Sequence, residues 1–226
     1  MNLDDLAVEL ETFGLHLRGL LKLATEEVKS LNIDTHGDHS IALVGNIGSS
    51  YWPVFSASRE YQDGQPDSLD RWSRRVAEQV AEVSGTRAIY PFERPPYYPF
   101  LQWAERAEAL SQSPLGLMIH PQYGLWHSYR FGLLIPHSNQ TDQKNISVES
   151  PCLSCKTQPC LHACPVNAFS IKGYDVDSCA AYLKETADAS CHQQGCLARL
   201  ACPVGEAYRY NSEQHTFHLR AFLGAR

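Results

Sequence analysis

The first 151 residues of this 226-residue chain contain no cysteine. A disulfide framework spreads its cysteines over the fold that needs stapling, so their absence here argues against a secreted, cross-linked protein. The opening, MNLDDLAVEL, has neither a basic n-region nor an apolar h-region, so no secretory signal is expected and the location expected is cytoplasmic. Without export, the Asn-x-Ser/Thr triplets at Asn139 and Asn145 carry no meaning as glycosylation sites. No apolar run approaches the roughly 18 residues of a membrane span. Basic runs are missing too: 19 Lys and Arg stand against 25 Asp and Glu, a net charge of -6. Nucleic-acid binders carry a basic patch or stripe, so this balance argues against DNA or RNA as a partner. No P-loop or nucleophile elbow appears, which leaves a hydrolase or NTPase without support.

What is present suits a globular protein with a real core, at 43% hydrophobic and 19% charged residues. The length allows one large domain or two small ones. LHLRGLLKL (15–23), SIALVGN (40–46) and TRAIYPF (86–92) are expected strands. Residues 68–83 carry apolar or small side chains at helical spacing behind an acidic start, which predicts an amphipathic helix. A second helix is expected over 99–110. Two apolar runs in PLGLMIHPQYGLWHSYRFGLLIP, split at Pro121 to Gly124, predict a hairpin. HSNQTDQKNISVESP, near residue 140, is polar and aperiodic, so it is expected to be a linker. The expected domains are 1–140, an α/β cofactor- or substrate-binding domain, and 141–226, which holds all eight cysteines.

Those cysteines read C152-x2-C155-x4-C160-x3-C164-P, then C179, then C191-x4-C196-x5-C202-P. Four thiolates around one compact object is the requirement of a cubane iron–sulfur cluster. The bacterial dicluster run is C-x2-C-x2-C-x3-C-P, and its fourth cysteine ligates the other cluster. CPVNAF at 164 and CPVGEAY at 202 repeat that corner, and each is expected to open a short helix, since proline suits a first helical position. The expected metal ligands are Cys152, Cys155, Cys160 and Cys202 for one [4Fe-4S] cluster. Cys164, Cys179, Cys191 and Cys196 are expected to hold the second. Structural zinc uses the same residue type, but zinc ribbons pair two C-x2-C loops and only one is present.

This stretch resembles the dicluster ferredoxin module of epoxyqueuosine reductases and corrinoid-dependent reductive dehalogenases. DSCAAYL (177–183) is similar to the Arg-Cys-x-x-Tyr-Leu segment that replaces the first cysteine of the second motif in the reductases. The segment before the module looks like their Gly-x-x-x-Leu-Leu-x-x-Pro-x-x-Gly-Ser-Trp, with Leu125 at the serine and Trp126 following. The resemblance runs over about residues 115–205. Two loops depart from the pattern: x4 replaces x2 before Cys160, and x5 replaces x3 before Cys202. It implies an α/β (α+β) fold, a nitroreductase-like mixed front domain followed by a small dicluster ferredoxin-like domain. It also implies a cytoplasmic oxidoreductase, fed by a ferredoxin or flavodoxin, acting on a corrinoid (cobalamin), FMN or small-molecule substrate in front. A second reading is an electron carrier whose front domain only docks a partner.

Candidates for a front-domain pocket are His120, Tyr123, Trp126, His127 and Arg130, together with Tyr97 and Tyr98 in the proline-rich FERPPYYPF. Aromatic faces stack on planar cofactors, and histidine donates protons or ligates cobalt. VGNIGSS (44–50) reads as a strand-to-helix turn, and HGDHS (36–40) as polar surface with His36, Asp38 and His39 as weak metal candidates. The catalytic residue is not assigned.

Overall fold

The computed structural model describes residues 2–31, 33, 39–93, 95, 97–136, 149–170 and 173–225. In chain order come α1 (Leu3–Glu11), β1 (His16–Lys22), α2 (Thr25–Ser30), β2 (His39–Ile47), α3 (Trp52–Ser56) and α4 (Arg59–Gln62). Then follow α5 (Ser68–Ser84), β3 (Arg87–Ile89), α6 (Phe100–Ala107), β4 (Ser111–Gln112), β5 (Met118–Ile119) and β6 (His127–Pro136). The cysteine-bearing part has α7 (Pro151–Ser154), α8 (Pro159–His162), β7 (Phe169–Ser170), β8 (Gly173–Tyr174) and α9 (Val176–Glu185). The last elements are α10 (Ser190–Gln194), α11 (Leu197–Leu200), a 3-10 turn at Glu206–Tyr208 and α12 (Ser212–Gly224). Among the described residues, no helix is long and apolar enough to cross a membrane.

The chain divides into two compact units, Met1–Ala109 with His127–Ser147, and Leu110–Trp126 with Val148–Arg226. The polar stretch 137–148, the expected linker with its boundary at 140, lies outside the described residues, as do His36 and Asp38. Residues 110–126 therefore group with the cysteines rather than with the front unit.

The front unit is built on an antiparallel sheet in the order β1-β2-β6-β3. β2 is buried along almost its whole length, with an apolar middle from Ile41 to Val44, and takes a neighbour on each side. Leu20 and Leu133 flank Ala42 across the two ladders. α5 follows the predicted periodicity and buries Leu69, Trp72, Val76, Ala77, Val80 and Ala81 on one face. Gly85, at φ +66, ends it in the left-handed turn that only glycine adopts readily. α6 lies against β1, and Gly19 is where they meet: a Cβ there would stand 2.7 Å from Ala107 Cβ. Trp72 and Trp103 are fully buried. At about 25 cal/mol per Å² and 150–250 Å² each, each contributes roughly 4–6 kcal/mol before entropy.

The predicted hairpin across Pro121 to Gly124 does not form as two paired strands. β5 pairs with β4, while β6 inserts between β2 and β3. A single bridge, His120 to Gly124, is what remains of the hairpin. The reason is backbone accounting: β2, buried along almost its whole length, needs a long partner for its ladder, and β6 supplies ten residues. The Cys-Pro corners also differ from expectation. Each follows a one-turn helix, α8 or α11; Cys164-Pro165 leads into a turn, while Cys202-Pro203 leads through a turn into the 3-10 helix Glu206–Tyr208.

Candidate functional site

Proline sets the local geometry around the first cysteines. Pro151 and Pro159 each occupy the first turn of a one-turn helix, α7 and α8, where a missing N–H costs nothing. Ser150 caps α7, accepting the Cys152 amide at 3.4 Å. The two extra residues before Cys160 are absorbed by a turn at Lys156–Thr157 and by Gln158 in the left-handed region, at φ 39. Before Cys202 the insertion is taken up by α11.

Two cavities result, both within the second unit. The first is lined by Cys152, Cys155, Cys160 and Cys202, with Pro114, Pro151, Pro159, Pro203, Ile119, Val204 and Gln158 around them. The second is lined by Cys164, Cys179, Cys191 and Cys196, with Phe169, Tyr174, Arg199, His215, His218 and Phe222 among its walls. The first is tight, about 20 Å³, and the second holds about 180 Å³. All eight cysteines are free. Leu115, Ile119, Leu125, Ala198 and Cys202 form a small apolar core, and Cys152, Cys160, Cys164 and Cys196 pack against it.

Burial pushes the Cys152, Cys160, Cys179, Cys196 and Cys202 thiols up. A bare thiolate in these walls is costly, and a bound metal relieves that cost by replacing the proton. Among the described residues no three His, Cys, Asp or Glu converge closely enough for a single metal ion. A cubane is larger than an ion and keeps its thiolates apart, so the donor set of four sulfurs suits it in both cavities. The room suits it in the second.

Hydrogen-bond donors reach these sulfurs. In the second cavity the Ala168 amide donates to Cys164 Sγ at 3.3 Å, and the Tyr174 hydroxyl donates to Cys179. The Ala198 and Arg199 amides donate to Cys196. In the first, the Ser150 hydroxyl donates to Cys152 and the Val204 amide to Cys202. Tyr174 is held by its β8 pairing with Phe169, on whose ring it stacks at 4.6 Å. Arg199 lies between Trp126 and Tyr210, at 4.4 and 4.5 Å from the ring centroids, and donates to the Leu125 carbonyl.

The seven candidates named from the sequence line neither cavity. His120 stacks on Tyr123 at 4.2 Å, and its Nδ1 accepts the Gln122 and Tyr123 amides, closing the turn. Trp126 is a fully buried wall for Arg199. His127 meets the Tyr129 ring edge-on, and Arg130 pairs with Asp70 at 2.8 Å. Tyr98 stacks on Trp103, whereas Tyr97 is exposed. His39 opens β2, buried and paired with Pro136. VGNIGSS is the expected strand, turn and helix start, with Asn46 Nδ2 donating to the Gly48 carbonyl at 2.8 Å. Missed from the sequence was α12, whose His215, His218, Leu219 and Phe222 line the second cavity at i, i+3, i+4 and i+7. That periodicity was the available signal.

The fold is that of the epoxyqueuosine reductases. One such structure, determined with an epoxyqueuosine-modified tRNA-Tyr stem loop, superposes with a TM-score of 0.52 at 13% identity, over 95% of this chain and 69% of that one. A selenomethionine-labelled epoxyqueuosine reductase gives 0.54 at 13%, over 94% and 68%. The Bacillus subtilis enzyme, with its catalytic loop swung out of the active site, gives 0.51 at 14%, over 95% and 69%. No protein-family model matches the chain, and no curated protein matches its sequence.

Proposed function

We propose that this protein is a cytoplasmic iron–sulfur oxidoreductase whose second unit holds two [4Fe-4S] clusters. The observation that carries the reading is the crossed partition of thiols. Cys202 joins Cys152, Cys155 and Cys160, while Cys164 joins Cys179, Cys191 and Cys196, four to each cavity. A dicluster ferredoxin exchanges its Cys-Pro cysteines in this way. When bound, the clusters supply one-electron chemistry, and the protein's part is to set their potentials and shield them from water. The likeness in fold to epoxyqueuosine reductases supports a reductase that draws on a ferredoxin or flavodoxin. On this reading the front unit receives the electrons, by way of a corrinoid, a flavin or the substrate itself.

The alternative, an electron carrier whose front unit only docks a partner, draws support from the side chains expected to line a pocket. Arg130 and Tyr98 are both taken up by structural partners. Nucleic acid stays outside the proposal, because 25 acidic residues outweigh 19 basic ones.

The test is anaerobic purification, or reconstitution, with iron and acid-labile sulfide counted per chain. A brown protein with about eight of each fits two cubanes. Stoichiometric zinc without sulfide would end the proposal. Titration of the loaded protein with cobalamin and with FMN then separates the two readings. A spectral change with either favours the reductase, and silence with both favours the carrier.

A further inference from the structure

Helical spacing puts His215, His218, Leu219 and Phe222 on one stripe of α12, and that stripe walls the second cavity. His215 is buried, at 9% exposure, and His218 is half-buried. The His215 ring lies edge-on to Trp126 at 5.5 Å and tilted against Tyr210 at 5.8 Å, so packing fixes its position.

A third contact is with the cysteine loop itself. Gly195, the residue before Cys196, has φ 86 and ψ -169, a backbone region open to glycine alone. A Cβ there would collide with His215 Nδ1 and stand 2.7 Å from Cγ and 2.9 Å from Cε1. Glycine is therefore needed twice, for its backbone and for the approach of this ring.

What the ring lacks is a partner for its other nitrogen. His215 Nε2 is buried and makes no hydrogen bond among the described residues. A buried polar atom left unpaired is costly, and such an orphan marks the place of a ligand or a water. The same ring lines the cavity that gathers Cys164, Cys179, Cys191 and Cys196. Sulfide and thiolate sulfurs only accept, so pairing with one requires the proton on Nε2. No histidine stands among the described residues that line the first cavity.

We propose that His215 is the non-cysteine member of the second site, its Nε2–H donating to a sulfur of the centre bound there. The inference rests on the iron–sulfur reading above and adds to it a binding residue. On this assignment α12, which follows the stretch that resembles the ferredoxin module, belongs to the cluster site.

The test uses the reconstituted full chain with isotopically labelled histidine, reduced and read by pulsed electron paramagnetic resonance. The second centre's signal is the one that Cys164→Ala removes. It is expected to carry a histidine nitrogen coupling, absent from the signal that Cys202→Ala removes. His215→Phe keeps a flat ring against Gly195 and deletes the donor. It is expected to abolish the coupling while about eight irons remain. In a potentiometric titration it lowers that centre's reduced-to-oxidised ratio at fixed potential roughly fivefold and leaves the other wave in place. No coupling in wild type, coupling that survives in His215→Phe, or an unshifted wave would overturn the proposal. The first result would mean that water satisfies Nε2, and the second would assign the contact to His218. Should His215→Phe lose the centre, His218→Phe decides: coupling kept there supports the proposal, and coupling lost ends it. A wild-type chain without iron and sulfide sinks the underlying reading instead, so the two failures look different.

Discussion

Gly124 and Val204 approach so closely that a Cβ on the glycine would stand 2.0 Å from the valine's carbonyl oxygen. The closeness is mutual, since a Cβ on Gly205 would stand 2.4 Å from the Tyr123 carbonyl. Both glycines have positive φ, +59 and +75. The turn at 121–124 is thereby pressed against the chain that has just left the Cys202-Pro203 corner.

Gly124→Ala therefore combines a left-handed backbone penalty of about 1–2 kcal/mol with a backbone clash that only movement of the 203–205 segment relieves. The expected loss is about 3 kcal/mol or more, read as a lower urea midpoint. Gly64 supplies the control, at φ +69 with nothing within 4 Å of where a Cβ would stand. Gly64→Ala is expected to cost about 1 kcal/mol. Equal losses in the two variants would show that the close approach to Val204 does not matter.

The crossed partition of thiols predicts crossed losses. Cys202→Ala is expected to remove the centre shared with Cys152, Cys155 and Cys160, although it lies 38 residues beyond the Cys164 corner. Cys164→Ala is expected to remove the other. Either variant should fall from about eight irons to about four, and each should lose a different wave in the redox titration. If Cys164→Ala took away the same wave as Cys152→Ala, the partition would be sequential and the assignment would fall.

The helix from Ser68 was legible because one-sided burial imposes a period on it, and the strands over 15–23 and 40–46 because each holds a short apolar run. The proposed grouping of cysteines comes from the two Cys-Pro corners at Cys164 and Cys202. The fate of the hairpin at 115–136 was not legible, because its second arm is claimed by β2 and β3, and strand partners far apart in sequence leave no local mark. The pocket aromatics misled for a related reason. Tyr98 and Trp126 have the composition of a cofactor pocket, but stacking on Trp103 or Arg199 uses the same faces. α12 went unread because its apolar positions are interleaved with histidines, whose role as cavity wall depends on a fold formed elsewhere in the chain.

Acid should find one identifiable weak point in the front unit. Arg75 donates to Glu60 at 2.7 and 3.2 Å, and these bonds hold its carboxyl down at about 2. The unfolded chain titrates nearer 4.5, so it binds the proton first as pH falls. The stabilisation is whole above about pH 4.5 and drains away toward about pH 2. Arg75 is itself a third exposed, at 35%, so screening limits the effect to about 1–2 kcal/mol. Glu60→Gln should be less stable at pH 7 and show a flatter stability profile over this window in urea titrations. An unchanged slope would mean that the pair is matched in the unfolded chain.

The buried pair Arg18–Glu108 should behave differently from Glu60, because it is dry. The guanidinium grips both carboxylate oxygens at 2.9 Å with side-chain exposures of 1% and 9%, and donates a third bond to the Asn46 carbonyl at 2.9 Å. Tyr129 donates to the same carboxylate. Even so, burial raises the Glu108 carboxyl, so desolvation outweighs the attraction of Arg18 and the tyrosine's hydrogen bond. A pair in that balance contributes little net stability, yet breaking it from one side strands a buried charge. Glu108→Ala is expected to cost about 3–5 kcal/mol, while the double variant Arg18→Met with Glu108→Leu should recover most of that loss. A double-mutant cycle by urea denaturation measures the coupling. Additive losses from the two single variants would mean that water reaches the guanidinium once its partner is gone.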